Sequence, residues 1–222
     1  MAGPIDLPRS EVDKLRKVLR LERGAPIAVL PGDGTLIRCR FEGHQAIPEA
    51  LETPRTEPSL NVTIAQAFPK GDRMETVVRM GTEIGVSRFL LFPADRSVVR
   101  WDAAKLSDRV RRYEAIAREA AEQCFRTIVP KVEACRSLGE VLEDSDAVVL
   151  SELEGESKAL TSPQGGRIVI VVGPEGGWSP AEIELIGNRG VTLGPRVLRT
   201  DTAGIAAAAA LLFRPDEIQK LR

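Results

Sequence analysis

Two short stretches near the carboxyl end bring glycines and charged side chains together. They are Gly173-Pro174-Glu175-Gly176-Gly177-Trp178 and Gly194-Pro195-Arg196-Val197-Leu198-Arg199-Thr200-Asp201. Glycine lets backbone N–H and C=O groups approach a ligand with no Cβ in the way. Ligands of open α/β sheets bind outside the carboxyl ends of the strands, where loops of this kind fall. Neither stretch matches the usual phosphate-cradling motifs, because G-x-x-x-x-G-K-[ST] is absent and the first loop is not G-x-G-x-x-G. Backbone hydrogen bonds to the adenine and ribose of a cofactor suit these loops better. The plain alternative is two tight turns, since glycine and proline punctuate most loops.

The elements around the loops are legible. Ile168 to Val172 is a continuous β-branched run, which suits a strand buried on both faces. After the first loop, Ser179 predicts a helix cap, Pro180 the first helical position and Glu182 the return half of a capping box. A short strand, Val191 to Leu193, leads into the second loop. An alanine-rich helix, Asp201 to Phe213, comes after it.

Upstream, Ser10 predicts the cap of a helix over Glu11 to Leu21, with Val12, Leu15, Val18 and Leu19 on one buried face and Gly24 after its end. Strands are expected at Pro26 to Leu30, Leu36 to Phe41 and around Gln45 to Ile47. Glu52 to Ser59 has two prolines and no apolar residue, and reads as a linker. Beyond it come a strand (Leu60 to Ala67), a helix from Lys70 to Gly85 with Val77, Met80, Gly81 and Ile84 inward, and a strand (Arg88 to Pro93). A helix from Ala103 to Arg126 carries the stripe Leu106, Val110, Tyr113, Ala117, Ala120 and Cys124. A strand (Val129 to Val132), a short helix (Ser137 to Leu142) and a strand (Ala147 to Leu153) complete an alternation that marks a parallel α/β sheet.

Composition narrows the function classes. The 222 residues are 43% hydrophobic and 28% charged, as in ordinary globular proteins. No apolar run approaches the ~20 residues that span a bilayer, and the amino terminus lacks an apolar signal core, so a cytoplasmic address is expected with no membrane partner. Cys39, Cys124 and Cys135 form no C-x-x-C pair, and His44 stands alone, which argues against a disulfide framework and a metal enzyme. Net charge is −1. It is unevenly spread: Lys70 to Arg126 holds 12 Lys or Arg against 9 Asp or Glu, whereas Lys131 to Ser162 holds 3 against 8. A local basic face is what RNA affinity requires; a solvated mixed-charge surface is the alternative.

The segments GPEGGWSPAEIE and LGPRVLRTDTAGIAAAAAL resemble the carboxyl-terminal signature of the RsmE family, SPOUT-superfamily methyltransferases acting on N3 of a uridine in 16S ribosomal RNA. KGDRMETVVRMGTEIGV, the segment ending DRSVV, and EAAEQCFRTIVP extend the resemblance over nearly the whole chain in the family's order. It implies a PUA-like β-barrel RNA-binding domain over 1–56 and, over 57–222, a SPOUT domain whose parallel sheet ends in a trefoil knot. It also implies S-adenosylmethionine as cofactor, a homodimer, and 16S ribosomal RNA, in a small-subunit particle, as partner. Another SPOUT activity, on ribose 2′-oxygen or transfer RNA, and a non-catalytic RNA-binding module are the alternatives. The chain departs from the family pattern at four places: Asp13 and Lys14 stand near the usual paired histidines, Met80 replaces a lysine, and Asp95 and Asp201 replace glutamates.

By this resemblance the cofactor contacts fall on Leu150, Ser151 and Glu152, on Val172, Gly173, Glu175, Gly176 and Gly177, and on Leu193, Gly194, Arg196, Val197, Leu198, Arg199, Thr200 and Ala203. Methylating a ring nitrogen of uracil needs alignment of nitrogen and methyl, and removal of the N3 proton. Arg96, Arg126 and Arg199 are the candidate cations for charge building on the uracil oxygens, and Asp201 and Glu175 the candidate bases.

Overall fold

The computed structural model describes residues 3–151 and 158–215. They group into two compact units. One holds the residues up to Thr56 together with Phe125–Ile128, and the other holds the rest from Glu57 onward.

The first unit contains β1 (Ile5–Asp6), α1 (Arg9–Asp13), β2 (Pro26–Val29), β3 (Leu36–Phe41) and β4 (Gln45–Glu52). Its strands pair antiparallel in the order β1-β4-β3-β2. Leu36, Cys39, Phe41 and Ala46 are its buried apolar residues. β4 runs well past the expected Ile47. The ion pairs Arg38–Glu52 (2.5 Å) and Arg40–Glu49 (2.8 Å) flank its outer half. The helix predicted over Glu11 to Leu21 is corrected in two ways. It starts at Arg9, after Pro8, without a side-chain cap from Ser10. It then widens into a π-helical turn, Lys14–Val18. A π turn adds a residue per turn and rotates the residues after it off the α-helical stripe. Val18 and Leu19 are consequently 73% and 55% exposed.

The second unit is a seven-stranded sheet. Its strands are β5 (Asn61–Ala67), β6 (Arg88–Phe92), β7 (Lys131–Ala134), β8 (Ala147–Leu150), β9 (Lys158–Ala159), β10 (Arg167–Val172) and β11 (Gly190–Thr192). The order is β7-β6-β5-β10-β8-β11-β9, and every described pairing is parallel. The β-branched run of β10 is central, and Ile168 to Val172 is buried throughout. Alternation divides its residues between two cores. Ile168, Ile170 and Val172 join Val62 and Ile64 beneath α2 (Arg73–Ile84), α3 (Ala103–Gln123) and α6 (Thr200–Leu212). Val169 and Val171 join Ala65, Ala67 and Phe92 beneath α4 (Leu138–Leu142) and α5 (Pro180–Ile186).

The helices follow their apolar spacing, with one correction. α2 buries Met74, Val77, Val78, Gly81 and Thr82, whereas Met80 is 42% exposed. Positions 74, 77, 78 and 81 form the three-and-four stripe, and Met80 lies off it. A Cβ on Gly81 would stand 2.6 Å from the Phe89 ring, so glycine sets how closely α2 approaches β6. α3 buries Tyr113, Ala117 and Ala120 as the stripe predicts, and stops at Gln123 before Phe125 turns left-handed at φ 58°. α6 is buried on nearly every side, and a Cβ on Gly204 would lie 3.2 Å from both Ile64 and Val172. Only a helix of small residues packs this closely on a sheet.

Candidate active site

The two glycine loops leave neighbouring parts of the sheet. β10 and β11 flank β8, so the loops after Val172 and Thr192 and the turn at Leu150–Ser151 open at one sheet edge. The Ser151 N–H donates to the Val191 carbonyl at 3.0 Å and fixes that turn.

α5 begins as its sequence predicts. Ser179 Oγ accepts from Glu182 N–H at 3.2 Å, and Glu182 Oε2 accepts from Ser179 N–H at 2.8 Å. Glu182 does more than cap. It is 5% exposed, and its Oε1 accepts from the Asp95 N–H at 2.9 Å. Ser179 Oγ in turn donates to Asp95 Oδ2 at 2.6 Å. This network ties the loop after β10 to the loop after β6. Arg96, the next residue, donates from Nη1 to the Gly176 carbonyl at 3.3 Å.

The glycines divide by role. A Cβ on Gly173 would lie 2.9 Å from the Trp178 ring, and one on Gly176 would lie 2.9 Å from the Arg96 carbonyl oxygen. At these two positions the protein itself fills the space that a side chain would need. Gly177 (φ 70°) and Gly194 (φ 119°) have open space where a Cβ would stand and are required by their left-handed backbone.

Together the loops wall a cavity of about 610 Å³. That is within the range of small-molecule and cofactor sites. Of the cofactor residues expected from sequence, Leu150, Ser151, Val172, Gly173, Glu175, Gly177, Leu193, Gly194, Arg196, Val197, Leu198, Arg199, Thr200 and Ala203 all line it. Gly176 is set behind the wall, and Glu152 lies outside the described residues. Among the four expected catalytic residues, Arg96 and Arg199 line the cavity. Asp201 is not in the wall; it sits in the first turn of α6, with Oδ1 buried and without a hydrogen-bond partner among the described residues. Arg126 belongs to the short piece grouped with the first unit, is 5% exposed, and is not a wall residue.

Sequence reasoning missed Arg73. Its Nη1 donates to Glu175 Oε1 at 3.0 Å and to Thr200 Oγ1 at 3.4 Å, so one guanidinium joins the two loops. The Lys70 N–H also reaches Glu175 Oε1 at 3.3 Å. Arg73 opens α2 at the carboxyl end of β5, and only the adjacency of β5 and β10 brings it to the site. Trp178, Ile183, Val191 and Thr192 also line the cavity without having been expected there.

Residues 56–212 match the family model for an RNA methyltransferase domain. The small-subunit ribosomal RNA methyltransferase E of Bacillus subtilis is 35% identical over 97% of this chain and 92% of its own length. The chain belongs to the RsmE family. The Mycobacterium bovis member is 34% identical over 87% of this chain and 80% of its own. Among solved structures, the RsmE protein of Neisseria gonorrhoeae bound to S-adenosyl methionine superposes with a TM-score of 0.84. It is 32% identical, with 95% of this chain and 91% of that one covered. A methyltransferase from Legionella pneumophila in complex with the same cofactor superposes equally well at 27% identity, over 95% of this chain and 91% of its own. The family match spans both glycine loops and α6, the elements that make the cavity.

Proposed function

We infer that this chain is an S-adenosylmethionine-dependent methyltransferase of small-subunit ribosomal RNA. One observation carries the reading: the loops after β10 and β11 enclose a cofactor-sized cavity within the segment that matches the family. The wall fits the cofactor chemically. Leu150, Val172, Leu193 and Leu198 offer apolar surface for an adenine ring, and loop backbone groups offer donors and acceptors for its edges. Glu175, Arg73 and Arg196 offer charges of both signs for the ammonium and carboxylate of a methionyl end. When bound, S-adenosylmethionine supplies a methyl group activated by its sulfonium.

The finer reading is methylation at N3 of a uridine in 16S ribosomal RNA, within a small-subunit particle. The chain's own task is then positioning and proton removal. Arg96 and Arg199 oppose the negative charge that builds on the uracil oxygens, and of the two candidate bases for the N3 proton Glu175 lines the cavity whereas Asp201 lies outside its wall. Arg126, outside the wall, is given no part in this chemistry. A base inside folded RNA must be flipped out at roughly a few kcal/mol, which cationic contacts offset. The first unit serves as the PUA-like RNA-binding domain. α6 threads a trefoil knot, a reading its small, buried residues support. A homodimer is supported by exposed apolar residues at the site, Val197 at 76% and Ile183 at 36%.

The test joins calorimetry with product mapping. The protein should bind S-adenosylmethionine with one site per chain. Small-subunit RNA from a strain lacking the gene should lack one base methyl on one uridine, restored by the wild type and not by Arg199→Ala. A methyl on ribose or on transfer RNA would refute the uridine reading. No heat with the cofactor or its demethylated product would leave an RNA-binding module instead.

A further inference from the structure

A group that removes the N3 proton must stand within reach of a base in the cavity. Among the described residues, Glu175 is the one acid in the cavity wall, and no histidine, lysine, cysteine or tyrosine lines it. The Glu175 carboxylate is not left to swing. Its Oε1 accepts from Arg73 Nη1 at 3.0 Å and from the Lys70 N–H at 3.3 Å, so the residues leading from β5 into α2 grip one oxygen with two donors. Oε2 has no hydrogen bond among the described residues and remains available. Arg73 Nη1 also reaches Thr200 Oγ1 at 3.4 Å, and Thr200 directly follows Arg199 at the start of α6. One guanidinium thus holds the wall carboxylate and the neighbour of a wall cation together. Stability does not account for the arrangement. The two side chains are 37% and 26% exposed, and ion pairs this open to water contribute little to folding. Placement does account for it, because a reacting group moved by about 1 Å can lose about a hundredfold in rate.

We propose that Arg73 is a positioning residue for proton removal: with the Lys70 N–H it holds Glu175 by Oε1, which leaves Oε2 to take the N3 proton of the base. The proposal rests on the uridine-methylation reading above. In the step, the N3–H bond breaks and the proton passes to Glu175 Oε2. The electron pair left on N3 forms the new bond to the methyl carbon, whose bond to sulfur breaks with its electrons staying on sulfur. Arg73 touches neither the proton nor the nitrogen and acts through Glu175.

Full-length wild type, Arg73→Ala, Arg73→Lys, Glu175→Gln and the Arg73→Ala/Glu175→Gln double variant are compared. The readouts are melting temperature, S-adenosylmethionine Kd by calorimetry, and kcat and KM on small-subunit particles lacking the methyl. Glu175→Gln should lower kcat at least about a hundredfold, and Arg73→Ala at least about tenfold. Arg73→Lys should recover part of the loss, since an ammonium still donates to Oε1. The double variant should be no more than about twofold slower than Glu175→Gln alone, because Arg73 then has no base left to place. KM should hold, and cofactor Kd should stay within about fivefold throughout. Arg73→Gln takes the place of alanine in the cycle should the alanine variant not fold. A double variant in which the two losses multiply overturns the proposal, because Arg73 would then act apart from Glu175. Glu175→Gln with kcat within twofold of wild type overturns it too, and a cofactor Kd raised more than about tenfold with kcat kept would place the carboxylate on the cofactor's ammonium instead. Wild type that leaves uridine N3 unmethylated in the same assay sinks the underlying reading and the proposal with it, whereas active wild type beside multiplying variants sinks only the role of Arg73.

Discussion

Glu182→Ala is expected to unfold the site from behind. The Glu182 side chain is buried and accepts from two backbone N–H groups, Asp95 at 2.9 Å and Ser179 at 2.8 Å. Alanine leaves both donors without their acceptor. A buried donor without a partner costs about 1–3 kcal/mol. Both donors are only partly buried, and removing the carboxylate relieves its own desolvation, so a net loss of about 3 kcal/mol is expected. For a chain of this size that lowers the melting temperature by about 6–12 °C. Glu182→Gln keeps one acceptor oxygen and turns an NH2 toward the other donor, so about half of that loss should remain. Function should track stability, since the same network fixes the loop carrying Arg96, whose guanidinium bonds the Gly176 carbonyl. Urea titration of all three proteins, with cofactor calorimetry on the same samples, measures both effects. An alanine variant within about 1 kcal/mol of wild type, or a glutamine variant as damaged as the alanine one, would refute this account of the network.

Three further outcomes are expected from the geometry. Gly176→Ala places a Cβ 2.9 Å from the Arg96 carbonyl, so calorimetry should show cofactor affinity falling at least about tenfold, against a smaller change for Gly177→Ala, whose Cβ meets open space and only left-handed strain of about 1–2 kcal/mol. Arg73→Ala removes an ion pair whose side chains are 37% and 26% exposed; such pairs contribute about 0–1 kcal/mol, so the cofactor Kd should rise about fivefold or less, and Arg73→Lys should recover part of it. Burial, aided by the Glu140 charge, pushes the Cys135 thiol up to about 11 from a usual value near 9.0. At pH 8.5 it should therefore carry about a hundredfold less thiolate than an ordinary thiol, and mass spectrometry after iodoacetamide should find Cys135 alkylated correspondingly slowly.

Features that depend on neighbours along the chain were legible in the sequence. The capping box at Ser179 and Glu182 is written in four residues, and the structure holds it as expected. The buried run of β10 and the stripe of α3 declare themselves by spacing alone. The two loops that wall the cavity were marked by their glycines and by the family resemblance, although the strands they follow, β10 and β11, are separated by β8. The misses share a physical origin. Arg73 reaches Glu175 only because β5 lies beside β10, a pairing between strands far apart in the chain. The exposure of Val18 and Leu19 comes from a π turn, which the periodicity of an α-helix hides.

Gly173 and Gly176 make the sharper lesson. Both were expected at the site as places where backbone could approach a ligand, and the structure adds a second need for glycine there. Their missing side chains make room for Trp178 and for the Arg96 backbone. Loop glycine was thus a good guide to the place of the cavity, and the packing that also requires it at Gly173 and Gly176 shows only in the fold. The same distinction applies to Gln66, which a propensity reading passes over as one polar position in an alternating strand. Only the fold shows that it is buried, that its amide is unmatched among the described residues, and that Val172 beside it lines the cavity. A sequence locates a site through residues with special backbone needs; which ordinary side chains end up buried beside it, as Gln66 is beside Val172, is decided only by folding.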